Sequence, residues 1–295
     1  MNCQPKCIGL LIRVTLNSFL CYNAMMYKVL TIAGSDSCCG AGVQADLKVI
    51  SALGATGTCA ITAITAQNTL GVSSVFNIPA SVVGQQIDAV VSDIGADSLK
   101  TGMLVSEEVV EIVCDIFRKY SLKNLVVDPV IFSHKGERLL SDKGIKKLVC
   151  DLIPLSCLVT PNIPEAEILT DRKIESLSDI KDAASAICEQ GASNVLIKGG
   201  HANDYGNDNN ANGEIIDLFY DGKEFQYFRE KRVDIDNVHG TGCMYSSAIA
   251  TELAKGNDMN SSITVAKKFI TKIIKESSMP GKGNRLADFT HQTDK

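Results

Sequence analysis

The stretch NVHGTGCMYSSAIA, Asn237 to Ala250, runs a glycine turn straight into a row of small and apolar residues that reads as a helix. Gly240 and Gly242 free the backbone to take left-handed conformations and to approach a ligand closely. The helix behind them offers unpaired N–H groups and the positive end of its dipole, which suits a phosphoryl group. Cys243 at the end of the turn could be a nucleophile, a redox thiol, a metal ligand or a small residue that fits. Taken alone, the turn could also simply cap an ordinary helix. Neither the Walker spacing nor GxGxxG is present, so a P-loop or dinucleotide reading fails on pattern.

Other turns carry chemistry of the same kind. VVDPV puts Asp128 at a strand end, and TPNIPE supplies Asn162 and Glu165 beside a turn stiffened by Pro161 and Pro164. Two carboxylates at two strand ends could hold Mg²⁺ through water, since that ion keeps several waters and takes few protein ligands. Helix capping is the plainer role for Asn162 and Glu165. Lys198, in LIKGG, could neutralise phosphate charge, or be a solvated loop lysine.

The elements that must position these residues alternate. KVLTIAGSD, TCAITAITAQN, LKTGML, NLVVDPV, CLVTPN and NVLIKGG read as buried strands. Between them, GVQADLKVISALG places Val43, Leu47, Ile50 and Leu53 on one helical face, with Gly54 as the stop. SVVGQQIDAVVSDI, SEEVVEIVCDIFRKY and LSDIKDAASAICEQ are further helices. This alternation predicts an α/β fold with a mainly parallel sheet covered on both faces. GEIIDLFYDGKEFQYFREKRVD breaks the pattern as a hairpin around Asp221-Gly222, preceded by the Asn- and Gly-rich surface loop NDYGNDNNANG. Two helices follow, one at the opening motif and one over roughly Met259 to Ser277. In such sheets ligands bind beyond the carboxyl ends of the strands. GSDSCCGAG, TAQNT, KTGM, DPVI, TPNIPE, KGGH and HGTGC all fall at that edge, which argues for an enzyme.

Composition narrows the class. The 295 residues are 45% hydrophobic and 21% charged, with a formal net charge of -5, and no basic tract points to nucleic acid. The 11 cysteines form no CxxC pair, and several sit in apolar runs, so a reducing, cytoplasmic compartment is expected rather than a disulfide framework or a zinc cluster. The first 28 residues contain no acid, and Arg13 breaks their apolar run below membrane-spanning length. Residues 1–25 read as an extension or upstream start, with a signal or transit peptide as the alternative. One domain is expected over 26–285, with a short tail, 286–295.

At this point a resemblance becomes specific. TIAGSDSCCGAGVQADLK, ITAITAQNT, KTGML, VVDPV, LVTPNIPEAEIL, VLIKGGH and HGTGC come in the order and spacing of the hydroxymethylpyrimidine/phosphomethylpyrimidine kinases, in the ribokinase-like superfamily. The resemblance implies a three-layer α/β/α sandwich, ATP and Mg²⁺ as cosubstrate and cofactor, and a homodimer. It further implies phosphoryl transfer to an aminopyrimidine and then to its monophosphate. Gln67 matches the residue that hydrogen-bonds the pyrimidine, and Gly34, Ala41, Asp46, Met103 and Val130 match other pocket positions. Lys198 and Asn162 match ATP positions, while Glu165 and Asp128 match metal positions. Gly240, Thr241 and Gly242 form the catalytic turn, and Cys243 stands where sugar kinases of the superfamily carry an aspartate base. A thiol at a helix N-terminus is expected to have a lowered pKa.

Three departures stand out from the family pattern. Cys38 and Cys39 replace a serine and a glycine of the first turn; Met244 replaces a threonine, which is expected to remove a hydroxyl near the phosphates; and Lys135 is displaced by one position. A pyridoxal kinase of the same fold is the nearest alternative, and Gln67 in AQNT favours the pyrimidine. A non-catalytic sensor and a dinucleotide-dependent oxidoreductase are the alternatives of other classes.

Overall fold

The computed structural model describes residues 26–133, 136–199, 213–235 and 237–289. The expectations for residues 1–25, for the loop over 203–212 and for Lys135 fall outside these. Chain order begins β1 (Lys28–Asp36), α1 (Gly42–Ala52), β2 (Thr56–Asn68), β3 (Gly71–Asn77), α2 (Ala80–Asp93), β4 (Ser98–Thr101), α3 (Glu107–Lys119) and β5 (Leu125–Val127). It continues with α4 (Asp142–Lys147), β6 (Leu158–Val159), α5 (Ile163–Thr170), α6 (Leu177–Glu189) and β7 (Val195–Ile197). β8 (Glu214–Tyr220), β9 (Phe225–Lys231), α7 (Thr241–Ala254) and α8 (Met259–Lys275) complete it.

The described strands form a 9-stranded sheet in the order β3-β2-β1-β4-β5-β6-β7-β8-β9. β2, β1, β4, β5, β6 and β7 run parallel; β3, β8 and β9 are antiparallel additions at the two edges. Because strand side chains alternate between faces, two cores result. Leu30, Ile32, Leu125, Val127, Val195 and Ile197 pack under α2, α3, α5 and α6, whereas Val29, Val126, Leu158 and Leu196 pack under α1, α7 and α8. Both faces are covered, which is why these strands read as unbroken apolar runs rather than alternating ones. The result is the expected three-layer sandwich.

Local chemistry sets the helix starts. Ser106, Ser176 and Asp258 each accept a backbone N–H from the third helical residue, as good N-caps do. α1 differs from its predicted face: Val43, Ala45, Asp46, Val49 and Ile50 are buried, while Leu47 and Leu53 are only partly so. Gly54 ends the helix at φ +80°, as predicted. The hairpin around Asp221-Gly222 is present, with Asp221 accepting from Lys223 and Glu224 N–H. β3 has no counterpart among the expected strands, because Ser73 to Asn77 are exposed and carry no apolar alternation.

Candidate active site

A cavity of about 820 Å³ opens at the carboxyl edge of the parallel strands. Residues of all seven unusual turns line it, among them Gly34, Ala41, Gln67, Met103, Val130, Asn162, Glu165 and Lys198. Asp128, Gly240, Thr241, Gly242 and Cys243 line it too. Such a volume suits a small organic ligand and more.

Its floor is a charge network. Lys198 Nζ lies 2.7 Å from Asp128 Oδ1, which also accepts from Thr160 Oγ1 at 3.3 Å. Burial raises the Asp128 carboxyl, but Lys198, Lys100 and a hydrogen bond from Cys243 outweigh it and hold it below its ordinary value. For Lys198, burial acts downward and is outweighed by Asp128 and Glu165, so the ammonium stays charged. Glu165 faces the opposite balance: burial pushes its carboxyl up to about 7, against Lys198 and with Asp128. Two buried carboxylates thus share the Lys198 ammonium.

Asn162 and Glu165 close a capping box on α5. Asn162 Oδ1 accepts from Glu165 N at 2.9 Å, and Glu165 Oε2 accepts from Asn162 N at 2.8 Å. Both still line the cavity, but the Asn162 side-chain oxygen is occupied by the cap, the plainer of its two expected roles.

The HGTGC turn is built on contact with the first turn. Gly240 sits at φ +78°, and a Cβ there would lie 2.0 Å from Gly40 O, so no other residue fits without rebuilding the junction. Gly242 corrects an expectation: it is helical, and its use is room, since a Cβ would lie 3.2 Å from Lys198 Nζ. The first-turn N–H groups of α7 and the Lys198 ammonium therefore meet at one point. Together they have the chemistry to receive an anion.

Three further expectations are corrected. Cys243 is not acidified: burial pushes its thiol up to about 12, with Lys100 opposing and Asp128 and Asp46 reinforcing. Asp46 does not line the cavity. It is fully buried beneath it, 3.0 Å from Lys100 Nζ and bonded by Thr31 and Ser247 hydroxyls at 2.6 and 2.7 Å. Met244 points away from the anion site into the core below α7, fully buried with Tyr245 and Ala248. Its thioether fills a core position and removes no hydroxyl from the cavity.

Sequence reasoning missed His239 and Asp36. Gln67 Nε2 lies 2.6 Å from His239 Nε2, and Gln67 Oε1 lies 3.2 Å from Thr65 Oγ1, whose hydroxyl also reaches Ser35 O at 2.9 Å, so the amide is flanked at both ends. For the amide to donate, the His239 proton must sit on Nδ1. Asp36 accepts from Cys38, Gly40 and Ala41 N–H and ties the first turn together. The signal for His239 was its place inside HGTGC. Cys39, in this turn, sits at φ +59°, which explains the glycine expected there.

Residues 36–288 match the family model described as phosphomethylpyrimidine kinase. The chain belongs to that family. Among curated relatives, the hydroxymethylpyrimidine/phosphomethylpyrimidine kinase of Bacillus subtilis is 41% identical over 259 residues, covering 88% of this chain and 93% of the relative. The thiamine biosynthesis bifunctional protein ThiED of Geobacter sulfurreducens is 43% identical over 257 residues, covering 87% of this chain and 51% of that protein. The chain thus spans about half the length of the bifunctional relative. Among solved structures, the pyridoxal kinase from Staphylococcus aureus in complex with AMP-PCP and pyridoxal is similar, with a TM-score of 0.80 and 34% identity, over 90% of this chain and 94% of that one. As a family member, the chain is a phosphotransferase of the ribokinase-like fold.

Proposed function

We propose that the chain transfers the γ-phosphoryl group of ATP to the hydroxymethyl oxygen of 4-amino-5-hydroxymethyl-2-methylpyrimidine, and then phosphorylates the monophosphate, in thiamine biosynthesis. The observation that carries this reading is Lys198 set against Gly242 at the open N-terminus of α7, beside Cys243 and Asp128. Phosphoryl transfer needs positioning and charge stabilisation more than a strong base, and this corner supplies both.

Gln67, held between Thr65 and His239, presents an amide edge that can donate to and accept from one edge of an aminopyrimidine. Met103 and Val130 supply apolar walls of the cavity, and Ile215, Val233, Ile270 and Ile274 supply an apolar stretch suited to adenine. Lys198 and the free amides of Thr241, Gly242 and Cys243 take the charge of the transferred group. The Cys243 thiol rests protonated beside Asp128, so it orients the substrate hydroxyl, whose proton leaves late, once the oxygen bonds to phosphorus, and passes to water in the open cavity.

Asp128 and Glu165 fit a hard divalent cation. Two buried carboxylates face one ammonium, Lys198, and oxygen donors at a wet cavity suit Mg²⁺. When bound, Mg²⁺ would neutralise charge on the phosphate oxygens. A homodimer is supported by Ile64, Leu70, Val75 and Phe76, exposed along β2, β3 and their turn. A cytoplasmic location is supported by the free cysteines, Cys38, Cys114 and Cys243 among them. Among the described residues no helix is long and apolar enough to cross a membrane.

ADP release with ATP and Mg²⁺ tests the reading against hydroxymethylpyrimidine, its monophosphate and pyridoxal. Turnover of both pyrimidines is expected. Pyridoxal turnover alone would overturn the substrate, and no turnover of any of the three would favour a sensor.

A further inference from the structure

Three metal-ligating atoms meet where the first turn touches the HGTGC turn. Cys38 Sγ lies 3.4 Å from Asp36 Oδ2, and His239 Nε2 lies 3.4 Å from the same oxygen. One ligating atom from each of the three residues lies within 4.8 Å of the other two. In a tetrahedral zinc-type site with ordinary bond lengths, an oxygen–nitrogen edge is about 3.3 Å and an oxygen–sulfur edge about 3.5 Å. Two edges of the triangle therefore already stand at coordination spacing. The His239–Asp36 separation is too long for a good hydrogen bond.

The surroundings hold these atoms in place. Asp36 Oδ2 accepts from Gly40 N at 3.0 Å and Ala41 N at 2.8 Å, and such outer hydrogen bonds are what fix a ligating carboxylate. His239 N donates to Arg285 O at 2.9 Å, and the ring packs so close to Gly40 that a Cβ there would lie 2.7 Å from Cδ2. With its proton on Nδ1, His239 accepts from Gln67 Nε2 through its one Nε2 lone pair, the same lone pair a cation at the cluster would take.

We propose that Cys38, Asp36 and His239 form a site for a zinc-type divalent cation, whose occupancy opposes pyrimidine binding by taking His239 Nε2 from Gln67. A thiolate, an imidazole and a carboxylate select zinc or cobalt over magnesium, which sets this site apart from the one at Asp128 and Glu165. Three protein ligands leave a fourth position for water. On binding, the Cys38 proton goes to solvent. The cation site stands by itself; only the competition rests on the proposed pyrimidine reading.

The test uses Co²⁺ with the full chain, free of nucleotide. The expected result is one bound Co²⁺ per chain, with a thiolate-to-cobalt band in the near ultraviolet and the intense visible bands of tetrahedral cobalt, all displaced by Zn²⁺. Cys38→Ser should abolish the thiolate band and weaken binding at least about tenfold, as should His239→Ala, while Cys39→Ser and Cys243→Ala keep both. Circular dichroism and thermal midpoints establish that each variant is folded. Absence of a thiolate band in the wild type, or its survival in folded Cys38→Ser, would overturn the site. Saturating hydroxymethylpyrimidine should weaken apparent Zn²⁺ affinity at least about tenfold. If the pyrimidine turns over yet leaves that affinity unchanged, the competition is wrong; if no pyrimidine turns over while Co²⁺ binds as described, the functional reading fails and the site remains.

Discussion

Lys198 meets Asp128 at 2.7 Å on the cavity floor, the ammonium 13% exposed and the carboxylate 2%. The lysine is thus buried enough to be needed by its partner and open enough to reach a ligand. Lys198→Met leaves Asp128 and Glu165 without their shared cation. Breaking such a pair costs up to about 3–5 kcal/mol when fully buried, and this half-open one should lie below that range. The expected outcome is a lower thermal midpoint and kcat reduced at least about 100-fold. Added Mg²⁺ should raise the midpoint of Lys198→Met more than that of the wild type, because it replaces the missing charge. An equal rise in both would separate Lys198 from the two carboxylates.

Glu165 gives the protein a pH signature. Its folded carboxyl titrates near 7, above the ordinary 4.5, because burial opposes the charge. Between these values the folded state holds more protons than the unfolded chain, so stability falls as pH rises from about 4.5 to 7 and then levels off. Glu165→Gln should flatten that fall in urea titrations across the same window. Activity should run the other way, rising through pH 7 as the carboxylate becomes available to a cation. A pH-independent urea midpoint in the wild type would contradict the burial assigned to Glu165.

Asp46 and Lys100 form a fully buried pair beneath the site. Burial acts to lower the Lys100 ammonium, but Asp46, Cys243 and Asp128 outweigh it and hold it charged. Lys100→Met strands Asp46 and should destabilise by about 3–5 kcal/mol. Asp46→Asn with Lys100→Met should recover much of that loss, since neither charge is then stranded. Chemical denaturation of the two variants and the wild type measures the difference. A double variant as unstable as Lys100→Met would mean that shape, not charge, is what this pair supplies.

Cys39 holds a left-handed backbone that costs an L-residue about 1–2 kcal/mol, while glycine brings a larger entropy loss on folding, about 0.5–1 kcal/mol. Cys39→Gly should therefore stabilise slightly, raising the thermal midpoint by about 1–3 °C. A lower midpoint would mean that the Cys39 side chain makes up for its backbone.

Cys243→Ala tests the thiol. Loss of a group that orients the substrate hydroxyl is expected to lower kcat about 100-fold with KM little changed. Because the thiol is pushed up to about 12, the wild-type kcat profile should show no cysteine limb near neutrality. Turnover at the wild-type rate would assign the function of the turn to its backbone N–H groups.

Much of the fold was legible because the physics acting on it is local or periodic. Runs such as LVV and VLI are apolar throughout because helices cover both faces. β3 was not legible, since its Val75 and Phe76 are exposed and no buried face imprints a pattern on it. The seven turns were legible as a set, because strand polarity alone brings them to one edge.

What the sequence determined by itself was the sheet, the edge where ligands bind and the residue types gathered there. The direction in which each side chain faces was decided only by tertiary packing. Asp46, placed in the pocket by motif, faces Lys100 in the core, and Met244, placed beside the phosphates, fills the layer under α7. The acidity of Cys243 was likewise decided by what encloses it, for a helix N-terminus lowers a thiol's pKa while burial among carboxylates raises it, and burial prevails here. His239 reaches Gln67, Asp36 and Cys38 only because the chain's two ends converge at one sheet edge. Spacing along the chain records period and polarity, but enclosure and contact between distant segments exist only once the chain has folded.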